Sequence, residues 1–199
     1  MMIATKENLQ KLSDAASAKI LVISDSHGRA HNLTEVLQKQ KDSYDALVFL
    51  GDGAEDLLSL YEEDFSLSEE EKLFPPVTCF VRGNGDESSY SVYTSSLERI
   101  QIPENEVLTV CGKRIFLTHG HRFGVYYSTE DLFKYLEANS FDAGLFGHTH
   151  VPFFDIKNEK FILNPGSISM PRNHSLKSYA ILSINRDKKE IKYDFYSIE

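Results

Sequence analysis

The chain has 199 residues, 41% hydrophobic and 12% aromatic, which suits one domain with a sizeable core and excludes a disordered protein. Its formal charge of −9 excludes a general nucleic-acid binder, which would carry a basic stripe to neutralise phosphates. No apolar run reaches the roughly 18–20 residues of a bilayer span. Residues 1–18 lack the apolar segment of a secretory signal. The two cysteines, Cys79 and Cys111, read as small hydrophobes rather than a disulfide framework, so a cytoplasmic setting is expected.

Thr5 to Ala18 carries helix formers, with Leu9 and Leu12 three apart, and predicts a short amphipathic helix. We read 1–18 as a helical extension and 19–199 as a single domain. Lys19 to Ser24 is an almost continuously apolar, buried strand that runs into Asp25-Ser26-His27-Gly28. His31 to Lys41 places Leu33, Val36 and Leu37 on one helical face. Ala46 to Leu50 is a second buried strand, closed by Gly51-Asp52-Gly53, and a helix over Glu55 to Tyr61 follows. The acidic stretch Glu62 to Lys72 reads as a mobile excursion. Pro75-Pro76 breaks the chain before a third strand, Val77 to Val81, which ends in Arg82-Gly83-Asn84-Gly85-Asp86. Three apolar strands thus run into Gly-bearing polar clusters with helices between. That order predicts a parallel sheet with every cluster at its carboxyl edge, where open α/β sheets bind ligands.

Further on, Val107 to Val110 and Arg114 to Thr118 flank a hairpin turn at Cys111-Gly112-Lys113. His119-Gly120-His121 follows, then a helix over Ser128 to Ala138 that Ser128 or Thr129 could cap. Ala143 to Phe146 leads into Gly147-His148-Thr149-His150. Val151 to Ile156 and Lys160 to Leu163 form a hairpin around Lys157-Asn158-Glu159. The turn Asn164-Pro165-Gly166-Ser167 shapes backbone near the clusters. Tyr179 to Ile184 and Glu190 to Ser197 close the chain as strands.

Together the clusters offer Asp25, His27, Asp52, Asn84, His119, His148 and His150. Carboxylate, amide and imidazole without thiolate suit Mn, Zn, Fe, Co or Ni. The set is too large for one tetrahedral ion and suits two ions sharing a carboxylate. Such a pair, ~3.5–4 Å apart, clamps a phosphoryl group and activates a bridging water or hydroxide. Two divalent cations would take the charge from −9 to −5. Singly, each residue has a plainer reading: Asp25 and Asp52 as helix caps, Asn84 as a left-handed turn residue, His27 and His119 as hydrogen-bonded histidines.

The order Asp-x-His, Gly-Asp, Gly-Asn-x-Asp, His-Gly-His, Gly-His-Thr-His and Asn-Pro-Gly-Ser resembles the calcineurin-like metallophosphoesterases, most of all their small YfcE-like phosphodiesterase branch. The resemblance spans Lys19 to Arg172. It implies an α/β fold, a four-layer α/β/β/α metallophosphoesterase sandwich, with a dimetal site at the sheet edges. It assigns Asp25, His27 and His150 to one ion, Asn84, His119 and His148 to the other, and Asp52 to the bridge. The implied activity is hydrolysis of small phosphodiesters by a metal-bridging hydroxide, with two divalent ions, manganese before zinc, iron, nickel or cobalt. No membrane or nucleic-acid partner is implied, and a homo-oligomer is allowed.

One departure matters. Many members carry His after the Asn of the third motif, where this chain has Gly85, which has no proton to give. His121 is the nearest candidate for that role by sequence, beside a reading as a supporting or surface histidine. Asp52, Asn84 and His121 are therefore the expected catalytic residues. Asp86 either orients a ligand or closes its turn. Arg172 either meets a substrate phosphate as a fork donor or lies on the surface. Arg82 is read as a partner of nearby carboxylates, and His31 and His174 receive no role. Specificity is expected in the loops Gly85 to Arg99 and His121 to Ser128. The rival readings are a protein-binding module like the retromer subunit of this fold, and a phosphomonoesterase.

Overall fold

The structure, a computed structural model, describes residues 1–187 and 191–198. The chain opens with β1 (Met2–Ile3) and α1 (Lys6–Asp14), then alternates β2 (Ser17–Ile23), α2 (Ala30–Gln40), β3 (Ala46–Phe49), α3 (Ala54–Phe65) and β4 (Thr78–Phe80). The hairpin β5 (Ser89–Tyr93) and β6 (Leu97–Gln101) precedes β7 (Asn105–Val110) and β8 (Lys113–Thr118). After them come α4 (Glu130–Ala138), β9 (Ala143–Leu145), β10 (Pro152–Lys157), β11 (Lys160–Pro165), β12 (Ser178–Asn185) and β13 (Lys192–Ser197).

One sheet runs β1-β4-β3-β2-β12-β13 and a second runs β10-β11-β9-β8-β7. As the repeated strand–helix order predicts, β2, β3 and β4 are parallel neighbours. The alternation within β2 shows why it must be apolar throughout. Ile20 and Val22 meet Leu117, Leu145 and Leu163 of the second sheet. Leu21 and Ile23, pointing the other way, meet Leu33, Val36 and Leu37 of α2 and Leu57 of α3. On the far face of the second sheet, Phe116 and Ile162 pack on Leu132, Phe133 and Leu136 of α4. The result is the four-layer α/β/β/α sandwich.

The first helix has a clear reason to start where it does: the Thr5 hydroxyl accepts the Asn8 N–H at 3.1 Å. Leu12 is buried in the core between the sheets, and its carbonyl accepts the Cys111 N–H at 3.0 Å. The segment before Lys19 is therefore part helix and part sheet, since β1 pairs with β4 and β2 already begins at Ser17.

Several local expectations need correction. The stretch Gly85 to Arg99, read as a loop, contains β5 and starts β6. The third helix continues past Tyr61 to Phe65 because Asp64 is buried, and its carboxylate accepts the Leu73 N–H at 2.6 Å. Glu62 to Phe65 thus belong to α3, while Ser66 to Glu71 are exposed. Asn164 and Pro165 belong to β11, and the turn begins at Gly166. Glu190, expected to open the last strand, lies outside the described residues, and β13 begins at Lys192. Among the described residues, no helix is long and apolar enough to cross a membrane.

Candidate metal centre

The ends of β2, β3, β4, β8 and β9 bring their polar clusters to one rim. Five residues there, Asp25, His27, Asp52, His148 and His150, have φ between 47° and 68°. That left-handed region costs a non-glycine residue of order 1–3 kcal/mol and persists only where the surroundings impose it. Here the loops hold one another. The N–H groups of Asp25 and His27 donate to the carbonyls of Gly51 and Asp52, each at 3.0 Å. Asp56 Oδ2 accepts the Ser26 hydroxyl at 2.5 Å and the Gly28 N–H at 2.9 Å.

Asp86 closes several turns at once. Its carboxylate accepts the N–H groups of Asp52, Gly53, Ala54 and Gly83 at 2.8–2.9 Å, joining the second and third clusters and capping α3. The loops approach so closely that a Cβ on Gly51 would lie 2.4 Å from the Gly83 nitrogen. On the other side, Asn164 Nδ2 donates to the Gly147 carbonyl at 2.6 Å and the Ser167 hydroxyl to the Asp25 carbonyl at 2.7 Å. The Asn-Pro-Gly-Ser segment shapes backbone, as its sequence suggests.

Within this frame Asp25, His27, Asp52 and His150 each place a donor atom within 4.8 Å of the others. His150 Nε2 lies 3.2 Å from Asp25 Oδ1 and 3.1 Å from His27 Nε2. His119 Nε2 lies 3.5 Å from Asp52 Oδ2. The rings of His119 and His148 are 5.1 Å apart, so His148 stands beside the same cluster. Asn84 is on the same rim with an exposed side chain, one residue before the Gly85 N–H that donates to Asp52 Oδ1 at 2.7 Å.

Two imidazoles have their tautomer fixed. His119 Nδ1 lies 2.7 Å from the Leu50 carbonyl and His150 Nδ1 lies 2.6 Å from the Met170 carbonyl. A carbonyl only accepts, so each Nδ1 carries a proton and each Nε2 turns its lone pair inward. Asp25 Oδ1 and His119 Nε2 are buried without a hydrogen-bond partner. Orphaned polar atoms at such depth are costly, and a divalent cation fits the donors of Asp25, His27, Asp52 and His150 that converge there.

The electrostatics agree with that fit. Burial alone would raise the Asp52 carboxyl, but the His119 imidazole beside it and the Gly85 N–H hold it far below the usual carboxylate range. Burial would lower His119, yet Asp52 and Asp25 raise it. Burial and the His119 charge push His148 down. These are the mutual shifts expected of opposite charges gathered in a dry place.

His121 lies half-buried beside the cluster. Its Nδ1 is buried without a partner, and its ring lies 5.6 Å from His119 and 6.1 Å from His148. Burial and the His119 charge lower its pKa. Arg82 and Arg122 share Glu104, at 2.7 and 3.0 Å. Arg172 donates to the Tyr126 hydroxyl at 2.9 Å, and the Tyr126 ring meets His148 edge-on at 5.8 Å. Sequence reasoning missed Tyr126, because an exposed loop tyrosine carries no local signature. His31 and His174 are exposed.

The profile of the calcineurin-like phosphoesterase superfamily domain matches residues 18–187. The chain is 27% identical over 176 residues to the probable metallophosphoesterase YsnB of Bacillus subtilis, covering 87% of this chain and 89% of that protein. Phosphodiesterase YfcE of Escherichia coli K12 is 41% identical over 70 residues, 35% of this chain and 34% of YfcE. A crystal structure of a conserved Streptococcus pneumoniae TIGR4 protein, described as a predicted phosphoesterase, is similar with a TM-score of 0.68 and 29% identity. That match covers 92% of this chain and 91% of the other.

Proposed function

Because the chain belongs to the calcineurin-like phosphoesterase superfamily, we propose that it is a dimetal phosphodiesterase acting on small phosphodiesters. The observation that carries this reading is the buried, unpartnered pair of donor atoms, Asp25 Oδ1 and His119 Nε2, beside a carboxylate held ionised at Asp52. Asp25, His27 and His150 would hold one divalent ion, Asn84, His119 and His148 the other, and Asp52 would serve both. When bound, such ions polarise phosphoryl oxygens and make water acidic enough to serve as a nucleophile near neutral pH. The donor set suits Mn, Zn, Fe, Ni or Co, and we propose manganese first.

The chain's own contribution is position. Leu50 and Met170 carbonyls hold the His119 and His150 rings in their ligating tautomer. Arg172, steadied by Tyr126, has further guanidinium donors for a non-bridging phosphoryl oxygen. His121, the free imidazole of the cluster, handles the leaving-group proton that Gly85 cannot supply. The partial likeness to a phosphodiesterase supports the diester over the monoester. Retention of the full donor set supports turnover over a binding module.

Metal analysis of protein purified without chelator, paired with Asp52→Asn, tests the centre. The variant is expected to lose bound metal and about 10²-fold or more of hydrolysis. Undiminished hydrolysis would remove Asp52 from its shared role. Bis-p-nitrophenyl phosphate should be cleaved faster than p-nitrophenyl phosphate with added manganese, and the reverse order overturns the diester assignment.

A further inference from the structure

Beside the metal centre lies a cavity of about 180 Å³, walled chiefly by Val125, Tyr126, Phe146, Thr149, Val151 and Phe153. Val125 and Phe146 belong to the core under α4, so that side of the cavity is fixed. Phe153 stands 6.2 Å from Phe146, ring to ring. Thr149 sits between His148 and His150 in the chain but lines the cavity, where its hydroxyl accepts from Asn164 Nδ2 at 3.0 Å.

Tyr126 connects the cavity to the reacting centre. One edge meets His148 at 5.8 Å, while the Arg172 guanidinium lies 5.7 Å from the ring centre and donates to its hydroxyl. The ring is nevertheless 53% exposed. Apolar and aromatic walls next to a charged centre are the usual makeup of a ligand recess, and nothing in metal binding requires them.

We propose that this recess receives a planar ring carried by one ester group of the substrate, with Tyr126 as the surface on which the ring stacks. An apolar cavity of about 150 Å³ accommodates benzene. The volume therefore admits one six-membered ring, aryl or pyrimidine-like, and is tight for a fused pair. Thr129 and Asn173 at the rim offer hydrogen bonds to substituents on that ring. The inference rests on the phosphodiesterase reading and adds its substrate class: diesters bearing a single aromatic ring over purely alkyl ones.

Calorimetric titration of the manganese-loaded protein with benzylphosphonate and ethylphosphonate reads ring recognition without turnover. The methylene of benzylphosphonate stands where an ester oxygen would, and the compound resists hydrolysis. Benzylphosphonate is expected to bind about tenfold tighter than ethylphosphonate. Tyr126→Ala should bring the ratio to about twofold or less, Phe153→Ala should lower it partway, and Tyr126→Phe should preserve it, all with unchanged metal content. Equal affinities in the unsubstituted protein overturn the recess, as does a ring preference that survives Tyr126→Ala. Loss of the preference in Tyr126→Phe also overturns it, because the hydroxyl–Arg172 link rather than stacking would then be responsible. If neither phosphonate binds the metal-loaded protein, the phosphoesterase reading itself falls, which separates the two failures.

Discussion

A single backbone carbonyl apiece fixes the orientation of two imidazoles of the centre. Leu50 and Met170 take the Nδ1 protons of His119 and His150, so those rings have only an inward lone pair to offer. His121 has no such anchor: its Nδ1 is buried and unpartnered. With no place in the proposed ligand sets, that ring is the one we propose for the leaving-group proton. His121→Gln is expected to cut kcat/KM about 10²-fold for diesters with alkyl leaving groups, which need a proton. For p-nitrophenyl diesters, whose leaving group needs none, the change should stay within a few-fold. Equal losses on both substrates would make His121 a structural residue.

At the scale of elements, the rim is a set of loops that brace each other, and Asp86 is the strongest brace. Asp86→Ala removes the acceptor of four N–H groups and the cap of α3. A loss of about 2–4 kcal/mol in unfolding free energy is expected, read from the urea midpoint at unchanged slope. Metal content should fall with it, and an unchanged midpoint would show the bracing to be incidental. The elements that build the rim were legible in the amino-acid order because β2, β3 and β4 must be apolar on both faces. Each such run stops where the clusters begin. By contrast, β5 and β6 were hidden, since Val92 is the one fully buried side chain of their ten and alternation is faint. Asp64 looked like part of a solvated acidic run because its partner, Leu73, is nine positions away. Tyr126 and Arg172 meet across 46 positions, a distance over which spacing says nothing. The roles proposed for Asn84 and Asp52 rest on family resemblance rather than on any periodicity.

For the molecule as a whole, the proposed metal centre carries an expectation about stability as well as about chemistry. A cation that binds only the folded chain adds about 2.7 kcal/mol at a free concentration near 100 times its Kd. For a domain of this size, each kcal/mol moves Tm by about 2–4 °C. Chelation should therefore lower Tm by about 5–10 °C, and manganese should restore it, as scanning calorimetry would show. A Tm indifferent to chelator would mean that the sandwich holds its rim in shape without the ions. The cysteines do not compete for that metal. Both are free and buried, and burial pushes the Cys79 thiol up to about 12, so it carries no thiolate at ordinary pH.

The left-handed backbone at Asp25, His27, Asp52, His148 and His150 also limits how such a protein can change over generations. Val or Ile would fit that geometry badly, whereas Asn and Gly accept it with little strain. A lineage that abandons this chemistry would shed its donors mainly to Asn and Gly. It would keep its shape and carry those two residues as a scar at the same five addresses.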